Sequence, residues 1–366
     1  MTPFRGIGIL VVLLALLFGG DAYADIRIGT AGPLTGPRAW SGEQFRRGAE
    51  MAVADINAAG GVLGERLELI VGDDAQDPEQ AKAVARKLIA DNVVFVAGHR
   101  SSDASIAAAP IYAAASVIQI SPSSTNPRLT QQGWSNVFRV CGRDDQQGIV
   151  AGDYLASHWE KDRIAVIHDG STYGKGLATQ TKLRLNALGL MEALYDTFVP
   201  DRTDYTKLIN QLRDKKIDVV YMGGYSTDAG LIMRQAHDQG VRLQLVSGDA
   251  LHNSDFWAIT GDAGEGARST FGIDPRDNPR AADLVERFRA AGYEPEGYTL
   301  HTYAAVQVWA QAAQHAGSLD TDKVIQAMRS QTFSTVMGAL KFDEHGDITE
   351  HPYVWYVWKD GRYVRE

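Results

Sequence analysis

Two hydrophobic periods alternate along the chain. Short apolar, β-branched runs at 26–29, 67–71, 93–97 and 117–120 are separated by amphipathic stretches at 43–59, 78–90 and 102–115. Continuous apolar strands with crossover-length helices between them predict a parallel sheet buried on both faces. Asp77-Pro78-Glu79 reads as an N-cap with proline at the first helical position, and Ala59-Gly60-Gly61 closes the preceding helix. A second series begins near Asp145. It runs through helix 147–158, strand 163–167, helix 176–188, strand 193–199, helix 205–215, strand 218–222, helix 228–239 and a strand over 243–247 that leads to Asp249. The two series share a pattern, not a repeated sequence.

The last third carries helices at 281–291, 299–316 and 322–330 but too few strands to build a sheet of its own. Its tail, 353–357 and 362–364 around Lys359-Asp360-Gly361, reads as a hairpin on an Asp-Gly turn. These pieces must return to complete two lobes. A chain that crosses between lobes several times makes a hinge, and a hinged cleft suits closure on a ligand. In open α/β sheets ligands lie beyond the carboxyl ends of the strands. Ser102, Thr125, Tyr173 and Asp249 all fall at such ends. Two hydroxyls facing an acid and a tyrosine suit a zwitterion: hydroxyl and N–H donors for a carboxylate, an acid for an ammonium.

Composition narrows the function further. A formal charge of −9 argues against a nucleic-acid partner. Arg5, an apolar run over 7–18 and Ala22-Tyr23-Ala24 describe a secretory signal peptide over 1–24. The expected mature chain begins at Asp25 and is exported to the periplasm. Cys141 is the single cysteine, so no intramolecular disulfide forms. There is no Gly-x-Ser-x-Gly, no His-Glu-x-x-His and no phosphate loop, so the expectation is a binding protein, not an enzyme, with no cofactor. Asp73-Asp74 with Asp77 reads more simply as a strand end and a helix cap than as a metal loop.

Gly32-Pro33-Leu34-Thr35-Gly36-Pro37, the run from Gly48 through Ala54-Asp55-Ile56-Asn57, and Asp73-Asp74 before Asp77-Pro78 resemble the branched-chain amino-acid binding proteins of ABC importers. So do His168-Asp169 with Tyr173-Gly174-Gly176, Tyr221-Met222-Gly223-Gly224-Tyr225, and Val336-Met337-Gly338 with Phe342-Asp343-Gly346. The similarity runs over essentially the whole mature chain. It implies an α/β, type I periplasmic binding fold: two doubly wound parallel-sheet lobes joined by a three-strand hinge, with crossings near Arg143, Gly272 and Ser334. Residues 25–143 plus 273–334 would then form the first lobe and 144–272 plus 335–366 the second. It also implies that Ser102, Thr125 and the backbone at Ser123 hold an amino-acid carboxylate. Asp249, helped by Tyr173 and Tyr225, would hold the ammonium.

Three departures bear on the ligand's tail. Arg100 stands where leucine-binding relatives present an apolar side chain, Ser41 where they carry tyrosine (with Trp40 beside it), and Asp249 is a shorter acid than their glutamate. A disulfide that some relatives form between positions matching Gln76 and Ser101 is absent here. Trp40, Ser41, Tyr298 and Arg100 are the candidates for the tail pocket. Arg100 is either a surface arginine paired with Asp103 or Asp74, or a fixed positive charge favouring a polar or anionic side chain. The expected partners are a small-molecule ligand, an amino acid by this reading, and a membrane ABC permease, with the protein acting as a monomer. Two rivals keep the fold: a carrier of a non-amino-acid such as an aromatic carboxylate, amide or urea, and a sensory module.

Overall fold

The computed structural model describes residues 25–160, 163–350 and 352–366. The expected signal peptide lies outside the described residues. Among them, no helix is long and apolar enough to cross a membrane.

Five strands form the first sheet: β1 (Ile26–Gly32), β2 (Leu67–Asp73), β3 (Phe95–Gly98), β4 (Ile118–Ser121) and β5 (Val137–Arg139). All pairings are parallel, in the order β2-β1-β3-β4-β5. Helices α1 (Ala39–Ala58), α2 (Pro78–Ala90), α3 (Ser102–Ala114) and α4 (Arg128–Gln131) connect them. The chain then alternates α5 (Asp144–His158), β6 (Ile164–His168), α6 (Thr172–Ala187), β7 (Leu194–Thr197), α7 (Thr206–Asp214), β8 (Val219–Gly223), α8 (Ser226–Asp238), β9 (Gln244–Ser247), α9 (Asp255–Thr260) and β10 (Arg268–Gly272). Helices α10 (Ala282–Ala290), α11 (Thr299–Ala316) and α12 (Thr321–Ser330) follow. A ribbon of β11 (Phe333–Thr335) and β12 (Gly338–Leu340) and the tail hairpin β13 (Tyr353–Lys359) and β14 (Arg362–Arg365) complete the chain. The second sheet has the order β14-β13-β10-β9-β8-β6-β7, with antiparallel pairings only at β10–β13 and β13–β14.

Each sheet is covered on both faces, as the unbroken apolar strands require. In the first lobe α1, α10, α11 and α12 cover one face around Phe95 and Trp309, whose rings stack at 5.1 Å, while α2 and α3 cover the other. In the second lobe α7, α8 and α9 pack on one face and α5 and α6 on the other. Phe45, Cys141, Phe271, Tyr298 and Tyr356 form a small apolar cluster where the lobes join.

Sequence pattern and structure part company in identifiable places. β5 and β10 carry no separate signal: β5 is three residues long, and β10, Arg-Ser-Thr-Phe-Gly, is too polar to read as an apolar run. The expected return to the second lobe at 335 comes later. Val336, Leu340, Phe342 and Ile348 all pack in the first lobe's core, so the last crossing falls after Ile348. Just before it, Asp347 forms an ion pair with Arg139 at 2.5 Å and accepts from Arg143 at 2.6 Å, tying the first and last crossings together. The Asp-Gly hairpin turn is as expected, with Asp360 and Gly361 both at positive φ.

Candidate functional site

Both sheets reverse their strand order, between β1 and β3 in one lobe and between β6 and β8 in the other. The segments leaving these strand ends face each other across the seam between the lobes. Arg38 follows β1, Arg100 and Ser102 follow β3, and Ser123 and Thr125 follow β4. Opposite them, Tyr173 follows β6, Tyr225 follows β8 and Asp249 follows β9.

The first-lobe wall is built from small polar residues with assigned bonds. Ser101 is the N-cap of α3, its hydroxyl accepting from Ala104 N at 3.2 Å. Ser102 therefore sits at the first helical position, not at the cap, and its Oγ accepts from Asn126 N at 3.3 Å. Ser123 Oγ donates to the Arg100 carbonyl at 2.7 Å, and its backbone N–H makes a long bond to Ser121 Oγ at 3.4 Å. The Thr125 hydroxyl is buried without a well-aligned hydrogen bond. Behind this wall, His99 Nδ1 meets Asp74 at 2.7 Å and Nε2 meets the Tyr112 hydroxyl at 3.0 Å, holding the segment that carries Arg100 and Ser102. Asp73 accepts from Leu34 N, Thr35 N and the Thr35 hydroxyl, and Asp77 caps α2. The acids that invited a metal loop are thus engaged in holding turns.

The second-lobe wall is an acid framed by aromatic rings. Asp249 opens a 3-10 turn after β9 and is 3% exposed. Its Oδ1 accepts from the Tyr173 hydroxyl at 3.0 Å, and its Oδ2 accepts from the Tyr298 hydroxyl, across the seam, at 2.5 Å. Burial raises the Asp249 carboxyl above its ordinary value, opposed by the Tyr298 bond and the Arg100 charge. The close approach of Gly174 to Gly223 positions the rings. A β-carbon on Gly223 would come within 2.0 Å of the Gly174 carbonyl, so α6 can lie against the end of β8 only without one. Tyr173 and Tyr225 consequently sit with ring centres 5.3 Å apart. Tyr173 belongs to α6, which starts four residues earlier than the pattern predicted because Ser171 caps it, accepting from Gly174 N.

Arg100 is 4% exposed, not a surface residue. Both acids proposed as its partners are engaged elsewhere: Asp74 with His99, and Asp103 across the seam with the backbone N–H and hydroxyl of Thr172. The guanidinium lies 5.5 Å from the ring centres of both Tyr225 and Tyr298. Trp40 and Ser41 fall in the first turn of α1. Ser41 Oγ donates to the Arg38 carbonyl at 2.7 Å, a bond within the first turn, and the Trp40 indole N–H is buried without an acceptor. Neither is tied to the Asp249 cluster by a hydrogen bond.

Two residues that the sequence reading passed over belong here. Arg38 reaches across the seam to Asp228 at 3.1 Å and Asp201 at 3.0 Å, with its guanidinium 4.8 Å from the Tyr225 ring. Its place directly after the Gly32–Pro37 motif was the available signal. Asp144, the first residue of α5, is fully buried with neither carboxylate oxygen in a well-aligned hydrogen bond. Burial, with the Asp249 charge adding to it, pushes the Asp144 carboxyl well above the usual range, against a weaker pull from Thr125 and Arg139. Being first in a helix after a lobe crossing was its only sequence cue. A separate surface cavity of about 400 Å³ is lined in part by Arg276, Glu294 and Tyr363, with Arg276 paired to Glu294 at 2.7 Å.

The family profile described as "Periplasmic binding protein" matches residues 25–362. The chain belongs to this family. The Leu/Ile/Val-binding protein homolog 1 of Brucella suis is 48% identical over 99% of this chain and 98% of its own length. A leucine binding protein from Thermotoga maritima superposes with a TM-score of 0.86 at 28% identity, covering 93% of this chain and 97% of its own. The branched-chain amino acid transporter substrate binding protein of Streptococcus pneumoniae, solved with isoleucine, gives 0.84 at 25%, covering 94% and 100%. The α/β, two-lobed fold is thus that of the type I periplasmic binding proteins.

Proposed function

We propose that this protein captures an amino acid between its lobes and presents the closed form to a membrane ABC permease. The observation that carries the reading is Asp249. It is a buried carboxylate held by one tyrosine hydroxyl from each lobe, opposite a wall of N–H and hydroxyl donors. Ser102, the Ser123 backbone and Thr125 receive the α-carboxylate at the start of α3, where unpaired N–H groups favour an anion. Asp249 receives the ammonium, with Asp144 as a second buried carboxyl beside it and the rings of Tyr173 and Tyr225 alongside. Relatives named for leucine, isoleucine and valine binding support an amino acid over an aromatic acid or a urea. Because the ligand touches both walls, its binding favours the closed state.

The protein acts as a monomer, is exported through the segment before Asp25 and performs no catalysis. A thermal-shift screen of ligand-stripped protein against amino acids, their des-amino analogues and amides tests this, since a bound ligand raises apparent stability. Stabilisation by amino acids alone is the expected outcome. Stabilisation by the des-amino acids to the same degree would remove the ammonium, and Asp249, from the account.

A further inference from the structure

We infer that the amino acid this site takes carries a second carboxylate, which Arg100 receives. The inference rests on the proposed interlobe site and names the side-chain class it selects.

Arg100 is 96% removed from solvent by its 4% exposure, yet among the described residues no carboxylate lies within ion-pair distance of it. Each neighbouring acid has another partner. Asp74 is bound to His99 at 2.7 Å, Asp103 to the start of α6, and Asp228 and Asp201 to Arg38. Asp249 is held by the hydroxyls of Tyr173 and Tyr298. The Arg100 Nε–H is buried with no acceptor. The guanidinium is flanked by the rings of Tyr225 and Tyr298, and the Asp249 carboxylate, although near enough to feel its charge, is bonded to tyrosine hydroxyls instead. Its backbone is fixed from behind, where Ser123 Oγ donates to its carbonyl, so the side chain is directed between the walls.

A buried guanidinium left without an anion is costly, and an apolar ligand tail would leave it so. The arithmetic of charges favours one ligand class. A zwitterion uses Asp249 for its ammonium and neutral donors for its α-carboxylate, which leaves Arg100 as the group still lacking a partner. A side-chain carboxylate supplies the planar, two-oxygen acceptor that a guanidinium matches best. A primary amide supplies one acceptor oxygen and places its NH₂ donors against a cation. Leucine, isoleucine and valine supply none.

Isothermal titration of the full mature chain, stripped of ligand by unfolding and refolding, decides the matter with L-glutamate, L-aspartate, L-glutamine, L-asparagine, L-leucine and L-isoleucine. The expected result is that one of the two acidic amino acids binds at least tenfold tighter than its amide and than either aliphatic. Arg100→Met should erase that preference, and Arg100→Lys should keep part of it. An amide or an aliphatic amino acid binding tightest to the unmodified protein would overturn the inference while leaving amino-acid capture standing. Binding of none of the six, with uptake of an amine-free acid instead, would overturn the underlying reading as well. The ranking on the unmodified protein suffices even where a variant fails to fold.

Discussion

The two walls of the seam use opposite means to hold charge. Where the first lobe is to meet the α-carboxylate the groups are small and neutral: Ser101, Ser102 and Ser123 bond to backbone, and the Thr125 hydroxyl lacks a well-aligned partner. On the second-lobe side the ammonium is to meet a buried carboxylate, Asp249, whose position is set by tyrosine hydroxyls and by the glycine contact that brings α6 against β8. A helix start with free N–H groups receives an anion without a full charge of its own, whereas an ammonium in a dry site requires a carboxylate. The contrast teaches that the proposed ligand is oriented by the seam before its side chain is considered. Arg100, a buried cation with no ion-pair partner among the described residues, would then select among side chains.

The contrast breaks most completely at Asp249. Asp249→Asn keeps the shape and one acceptor oxygen but removes the charge, and should weaken amino-acid binding by about 2–5 kcal/mol with the fold intact. Titration calorimetry and a thermal melt of the same sample check both halves of that statement. Arg38→Met comes next, because Arg38 joins the walls and meets the proposed amino-acid grip through the face of the Tyr225 ring. Loss of its bridge to the buried Asp228 should disfavour the closed state and lower affinity by about 3 kcal/mol. Small-angle scattering should show a larger ligand-free protein, and an unaltered profile would remove Arg38 as a latch.

Asp169 sharpens the second-lobe side through pH. Burial raises its carboxyl to about 6, although the Ser171 hydroxyl and N–H bond to it. A carboxyl raised in the folded state favours folding below its unfolded value near 3.8, and that contribution is lost as pH rises through about 6. Asp169→Asn should therefore stabilise the protein at pH 7 by on the order of 2 kcal/mol and change little at pH 4, which melts at the two pH values will check. The smallest effect is expected from Thr125→Val. Its hydroxyl makes no well-aligned bond within the protein, so stability should hold while affinity falls by about 1 kcal/mol.

The fold was largely legible because its strands are apolar without interruption and its helices fill the gaps between them. Where the signal failed, the cause was local. β10 is too polar to announce itself, and α1 and α6 begin earlier than their apolar periodicity, α6 because Ser171 caps it. The residues after Ser334 fold back into the first core through Val336, Leu340 and Ile348, which no periodicity over so short a stretch can report. The candidate site was legible in part. Ser102, Thr125, Tyr173 and Asp249 follow from their places at strand ends. Arg38 depends on partners 163 and 190 positions distant in the chain and Asp144 on burial, and neither is visible in local pattern. The state of Arg100 also required the structure, since only there are Asp74 and Asp103 seen to be engaged elsewhere.

The central claim is that a dipolar guest lies between a neutral donor wall and a negative group. A crystal structure of the complex with the tightest-binding amino acid tests it most directly. The account predicts the guest's ammonium in hydrogen-bond contact with Asp249 and its α-carboxylate on Ser102 and Thr125. A guest bound outside the seam, or one in the reverse orientation with its carboxylate toward Asp249, would contradict it.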